Sequence, residues 1–293
     1  MTDKETNHAL DVLVKLAVVL AQVILYVILI GAGLLIVFPF VWTISASFMD
    51  VSEIFAYPPI LIPRVLRLSN YLYLFQTGER VHFVRWYLNS AFVTACSMVL
   101  SLFFSSMGGF GFAKYNFRFR GPLFAFLLGS MMLPFWVVLI PLFVLMVRVE
   151  WVDTYEALII PFSAGAFGIF LMRQYMVTLP TELMDAGRID GASEFRIYFQ
   201  VFLPLSRPAM GALAIMNFVG SWNSYLWPLI ILRSPEKFTL PLGMANLMGT
   251  WQGERLWGPV MAGTFLTTLP VLILFALMQR QLIAGMTLGA VHG

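Results

Sequence analysis

The sequence predicts an all-α integral membrane protein of about six transmembrane helices, with a charged helix–turn–helix in one connecting loop. Three observations predict it. Hydrophobic residues make up 60% of the 293 and charged residues only 11%, against roughly half and a quarter in soluble domains. The apolar residues gather into runs long enough to cross about 30 Å of hydrocarbon. No Asp, Glu, Lys, Arg or His stands near the middle of any run; the ionisable groups, such as Arg148, Glu156, Arg173 and Arg280, sit toward the ends. Six spans and their loops use up the chain, which leaves no room for a second large soluble domain.

In chain order, a polar segment over residues 1–15 is followed by an apolar run over 16–48. That run is too long for a signal-peptide core and carries no small-residue cleavage site, so it reads as a retained first span. Further runs fall at 86–112, 122–147, 156–178, 206–232 and 259–283. Pro134 and Pro141 are expected to kink the third. The small residues Gly31, Gly33, Gly108, Gly109, Gly111, Gly165 and Gly168 lie inside runs, where they let helix backbones approach. No GxxxxGK[ST] exists in the chain, so the Gly108–Gly111 cluster is not read as a phosphate loop.

The loops differ in kind. Residues 49–85 carry Pro58, Pro59 and Pro63, residues 114–120 are short and basic, and 148–153 are very short. Glu150, Asp153 and Glu156 read there as solvated acids near a helix N-terminus. Even parity places residues 1–15, 114–120, 181–207 and the C-terminus on one side, and 49–85 and 233–257 on the other. Lysine and arginine divide ten to eight between the two sides, a weak bias toward cytoplasmic termini. The net charge of +3 is too small and too scattered for a nucleic-acid partner. Cys96 is the single cysteine, and His8, His82 and His292 are isolated, so neither a disulfide nor a metal site is expected.

Residues 179–207 are the most specific stretch. Thr181 is expected to cap a short helix carrying Glu182 and Asp185 in its first turn, where the dipole favours acids. Asp190 and Gly191 stop it, because glycine takes a left-handed C-terminal conformation without a Cβ penalty. Ser193 then caps a second helix, whose Phe195, Tyr198, Phe199 and Phe202 recur at helical spacing as one aromatic face, and Pro204 ends it. Amphipathic helices lying in the lipid interface and a docking element for a soluble partner are both compatible with this pattern.

The stretch resembles the EAA loop of permease subunits in binding-protein-dependent ABC importers. Asp185, Ala186 and Gly187 stand where the Glu-Ala-Ala is usual, Asp190, Gly191 and Ala192 match the Asp-Gly-Ala, and Leu203-Pro204 match the distal Leu-Pro. Gln279 to Gly293 is similar to the tail of maltose-type permeases, with Met286 and His292 departing from it. Ser221-Trp222-Asn223-Ser224-Tyr225-Leu226-Trp227-Pro228 matches their Trp-Asn-aromatic-Trp-Pro element.

The resemblance covers roughly residues 15–293 and is nearest to the smaller maltose-type subunit. It implies an importer transmembrane domain over 16–293, a coupling helix in 179–207, and extracytoplasmic loops at 49–85 and 233–257. The implied partners are a second permease subunit, two ATPase subunits that hold ATP and Mg, a solute-binding protein, and a sugar or oligosaccharide, including acidic ones such as alginate. The implied location is the bacterial inner membrane. No cofactor or catalysis is expected on this chain.

Two further residue sets carry open readings. Asn217, Trp222, Asn223 and Tyr225 in span five suit either a translocation pathway, through amides, a hydroxyl and aromatic faces, or interhelical bonding and an interfacial aromatic belt. Asn246, Trp251, Gln252 and Glu254 in the 233–257 loop suit either insertion into a solute-binding protein, which the resemblance implies, or a flexible connector. A secondary carrier or channel is the alternative function. It is opposed by the missing mid-membrane charge that such proteins use as relay or counter-ion. An enzyme is opposed by the lack of any catalytic constellation.

Overall fold

The computed structural model describes residues 2–76, 81–249 and 256–288, with side chains over 15–76, 81–249 and 256–278. The described chain is helical: α1 (Thr2–Ala46), α2 (Val51–Ile54), α3 (Ser69–Phe75), α4 (Phe83–Lys114), α5 (Arg120–Ser130), α6 (Phe135–Arg148) and α7 (Glu156–Ile159). There follow α8 (Ala166–Val177), α9 (Glu182–Ile189), α10 (Glu194–Ile197), α11 (Leu203–Leu205), α12 (Arg207–Trp222), α13 (Leu226–Ile231), α14 (Leu240–Met248) and α15 (Trp257–Leu288). Among the described residues, four stretches are long and apolar enough to cross a membrane, and six if each of two bent pairs counts as one.

The expected third span is broken, since α5 and α6 meet at 100°. Pro134 is the cause: its backbone is extended at the head of α6, and it brings no amide to continue α5. Span five stops at Trp222 and resumes at Leu226, and α10–α11 meet α12 at 77°. Span four passes from α7 through a 3₁₀ turn at Ile160–Phe162 before α8. Helix α1 runs continuously from Thr2 into the first span.

Helix α4 is the hub, packed by α8, α12 and α14, while α1 touches the body mainly along α15. Residues 15–32 of α1 are exposed throughout, an apolar surface suited to lipid or to another membrane helix. The α4–α8 seam depends on small residues. A Cβ on Gly109 would stand 2.5 Å from Met172 Cβ and 2.8 Å from the Arg173 amide nitrogen, and one on Gly168 would stand 2.2 Å from Ser105 Oγ. Gly31, Gly33, Gly111 and Gly165 make no such close approach within the described chain, with nothing within 4 Å of a Cβ there.

Two cores result. One gathers Trp86, Trp222, Trp227, Ile231, Leu240 and Leu247; the other, at the opposite end of α4, gathers Phe110, Met172, Met176, Met184, Ile197 and Phe202.

The 233–257 segment is no flexible connector over its described part. Trp86 Nε1 donates to the Pro235 carbonyl at 2.7 Å, Asn89 Nδ2 to the Glu236 and Phe238 carbonyls at 2.9 Å each, and the Leu240 amide to Ser90 Oγ at 2.7 Å. Gly243 lies under the Trp86 indole, which stands 2.2 Å from where a Cβ would sit, so this glycine serves close approach.

Asp153 is not a solvated helix-end acid. At φ +63° it accepts from the Arg233 and Ser234 amides at 2.9 and 3.1 Å, the Ser234 hydroxyl at 2.6 Å and Lys237 Nζ at 3.2 Å. It thereby ties the 149–155 turn to the turn after span five. Burial pushes its carboxyl up, but these donors outweigh burial and hold it well below the usual carboxylate range.

Candidate functional site: the helix–turn–helix and the cavity at the broken span

Helix α9 ends in a full Schellman motif. The Ala192 amide donates to the Gly187 carbonyl at 2.9 Å and the Gly191 amide to the Arg188 carbonyl at 3.0 Å, with Gly191 at φ +74°. Ser193 caps α10 as expected, its hydroxyl accepting from the Arg196 amide at 3.3 Å. Thr181 does not cap α9. Its backbone is already helical (φ −74°, ψ −24°), whereas a capping hydroxyl needs extended backbone to reach the next amides.

The two short helices fold tightly together because Gly187 has no side chain. A Cβ there would stand 2.9 Å from Ile197 Cγ1, so the departure from alanine makes room for Ile197.

The aromatic residues divide between two sides. Tyr198 and Phe202 are buried against Phe110, with ring centroids 5.3 and 5.0 Å away, and Tyr198 Oη lies 2.6 Å from Ser106 Oγ. Phe195 and Phe199 face outward, 71% and 47% exposed. The four span only one narrow stripe, and the packing boundary runs through it where Tyr198–Phe202 widen into a π turn. Pro204 lies within α11, and the chain bends just beyond it, at Ser206.

Of the expected coupling residues, Glu182, Asp185, Ala186, Asp190 and Gly191 are exposed, Gly187 and Ala192 are half-buried at the turn, and Leu203 and Pro204 are half-buried at its base. The surface also presents Ile189, 85% exposed.

Lys114 and Tyr115 hold this unit to the end of α4 and Arg188 braces it from within; none of the three carried a local signal in the sequence. Lys114 Nζ donates to the Leu179 carbonyl at 2.5 Å, and Tyr115 Oη donates to Glu194. Arg188 Nε donates to the same Glu194 carboxylate at 2.8 Å and reaches Asp185 at 3.5 Å. Burial first, and then the Glu194 carboxylate, push the Tyr115 hydroxyl up to about 12; bonds from Arg188 and Tyr115 draw Glu194 below its ordinary value. Tyr115 and Glu194 are far apart in sequence, which is why only folding brings them together.

At the break in span five a cavity of about 400 Å³ opens between α4, the head of α6, the α7 region and α12–α13. Asn217 and Tyr225 of the expected pathway set line it, with Ser97, Ser221 and Ser224. Trp222 and Asn223 do not. Trp222 is buried on another face of α12 and donates from Nε1 to the Thr267 carbonyl at 3.0 Å, and Asn223 bonds the Val219 carbonyl at 2.9 Å. In the 233–257 loop Asn246 is exposed near the end of α14; Trp251, Gln252 and Glu254 lie outside the described residues.

Residues 102–286 match the family model described as binding-protein-dependent transport system inner membrane component. The chain is 41% identical over 259 residues to the arabinooligosaccharides transport system permease protein AraQ of Halalkalibacterium halodurans, covering 88% of this chain and 91% of that one. It is 35% identical to the lactose transport system permease protein LacG of Rhizobium radiobacter, over 93% and 97% of the two chains. The sn-glycerol-3-phosphate transport system permease protein UgpE of Escherichia coli is 34% identical over 86% and 90%. In fold the chain is similar, with a TM-score of 0.81 and 23% identity over 89% and 96%, to a chain in a crystal structure of a bacterial ABC transporter involved in the import of the acidic polysaccharide alginate.

Proposed function

This chain belongs to the family of binding-protein-dependent transport system inner membrane components, and from that membership we propose how its parts divide the work. It is a multi-pass inner-membrane permease subunit of a carbohydrate ABC importer. Its relatives are permeases named for arabinooligosaccharides, lactose and sn-glycerol-3-phosphate, and a secondary carrier is set aside.

In this reading the helix–turn–helix of α9 and α10 docks onto a cytosolic ATPase subunit, which holds ATP and Mg; hydrolysis takes place there and not on this chain. A second permease subunit completes the pathway, a second ATPase subunit serves it, and a solute-binding protein delivers the sugar. The carrying observation is the two-sidedness of the element. Met184, Ile197 and Phe202 are almost wholly buried and anchor it to the end of α4, each burial being worth about 1.5–3 kcal/mol. The outer side presents Ile189, Phe195, Asp185 and Glu182 to the outside, a mixed apolar and acidic surface suited to a protein partner. Tyr115 and Lys114 tie that surface to α4, so a displacement of the docked helix reaches the helix that lines the cavity.

The orientation follows from this reading: the 114–120 and 179–207 loops and both termini face the cytoplasm. The loops at 49–85 and 233–257 face the solute-binding protein, and Asn246, Trp251, Gln252 and Glu254 are the residues this reading assigns to contact with it.

The test is an Ile189→Asp, Phe195→Asp double variant in the assembled transporter. Both side chains are exposed, so the permease should insert normally, while co-purified ATPase and sugar-stimulated hydrolysis fall at least about tenfold, as expected for losing two interface anchors. Normal stoichiometry and stimulation would remove the assignment.

A further inference from the structure

We propose that the cavity at the broken span five is a contact site for neutral sugar rings carried by this subunit itself, and that it discriminates against uronate-containing oligosaccharides. The inference rests on the sugar-importer reading and adds the location and the charge class.

The polar side of the cavity is built by helix periodicity. Asn217 and Ser221 are spaced i, i+4 and share one face of α12, and Ser224 follows in the break after Trp222. Asn217 Nδ2 is held by the Leu213 carbonyl at 3.0 Å, which leaves Oδ1 as an acceptor. The hydroxyls of Ser97, Ser221, Ser224 and Tyr225 make no hydrogen bond among the described residues. Ser97 is nevertheless buried, at 8% exposure. The residues lining this one space therefore carry four hydroxyls and an amide oxygen that have no protein partner among the described residues.

The apolar side is a rigid aromatic wall. Trp227 is 4% exposed, its Nε1 donates to the Ala157 carbonyl at 2.9 Å, and its ring meets Phe135 and Phe162 edge-on at 6.2 and 5.9 Å. A sugar ring combines a C–H face with a rim of hydroxyls, and this cavity offers the accessible Phe135 and Phe162 rings, backed by the buried Trp227, on one side and neutral hydrogen-bonding groups on the other. Its volume, about 400 Å³, falls in the range of small-molecule sites.

Charge decides the class. Among the described residues, no Lys, Arg, His, Asp or Glu lines the cavity. A carboxylate brought into this space would lose water without gaining a cation, which is costly, whereas a neutral ring exchanges hydroxyl bonds with little loss. A lipid chain would satisfy the aromatic wall and leave the hydroxyls unbonded.

The experiment uses the full chain purified in nanodiscs, with arabinobiose, lactose and di-mannuronate as probes and saturation-transfer NMR as readout. Saturation is expected on the ring protons of a neutral disaccharide and not on di-mannuronate. Ser224→Ala and Tyr225→Phe, which remove only hydroxyls, should each weaken the neutral ligand about three- to tenfold. Ser221→Leu, which fills the space, should abolish binding, with an unchanged unfolding midpoint showing that the chain is intact.

Transfer to di-mannuronate equal to that of the neutral sugars would overturn the proposal. So would transfer to lipid protons only, or neutral-sugar binding indifferent to all three substitutions. ATP-driven uptake by the assembled transporter separates the two levels. Uptake of arabinobiose with no transfer signal on the isolated chain would sink the site alone, while an assembled transporter that imports no sugar would sink the reading beneath it.

Discussion

Replacing Gly191 isolates backbone strain in the coupling element. Gly191 sits at φ +74°, and no described atom lies within 4 Å of the position a Cβ would take, so a side chain adds conformational cost without a clash. An L-residue in the left-handed region costs about 1–2 kcal/mol, less for asparagine and more for a β-branched residue. The chain can relieve that strain by opening the Ala192-to-Gly187 and Gly191-to-Arg188 bonds, which separates α9 from α10. If docking requires the closed motif, the strain is subtracted from docking, a loss of roughly 5- to 30-fold. The series Gly191→Asn, Gly191→Ala and Gly191→Val should therefore lower sugar-stimulated ATP hydrolysis and uptake in that order, with asparagine near the parent. The assay is stimulated hydrolysis by the reconstituted transporter, alongside the amount of inserted permease, which should not change. A valine variant with full stimulation would refute the reasoning, because the left-handed turn would then be irrelevant to coupling.

Other outcomes follow from the same structure. Gly109→Ala places a Cβ 2.5 Å from Met172 Cβ and should lower the unfolding midpoint in detergent by the equivalent of about 1–3 kcal/mol, whereas Gly31→Ala, with open space around it, should not. Asp153→Asn should cost about 2 kcal/mol in the same melt. Because the folded carboxyl titrates below its unfolded value, the gap to the parent should be constant from about pH 5 upward and close as pH falls below about 4 toward the folded value. For orientation, Ser193→Cys in a Cys96→Ser background should resist an impermeant thiol reagent applied to intact cells; labelling from outside would invert the proposed topology.

The features legible in the sequence are those that depend on a few neighbouring residues. Apolar length marks most of the spans, glycine marks the left-handed turn at Gly191, and Ser193 marks its cap, because hydropathy, φ preference and capping are local properties. The division of Tyr198 and Phe202 from Phe195 and Phe199 was not legible, since helical spacing places all four on one stripe and only the position of Phe110 divides it. Thr181 failed as a cap because the chain enters it already helical. Asp153 looked like a loop acid until the turn after span five supplied its four donors, and Gly243 became a packing glycine only with Trp86 above it. The Tyr115–Glu194–Arg188 contact and the cavity wall of Trp227, Phe135 and Phe162 likewise join residues far apart in the chain. Such contacts depend on how separate helices pack, and that packing is set by shape and hydrogen bonding between distant segments, which no local pattern encodes.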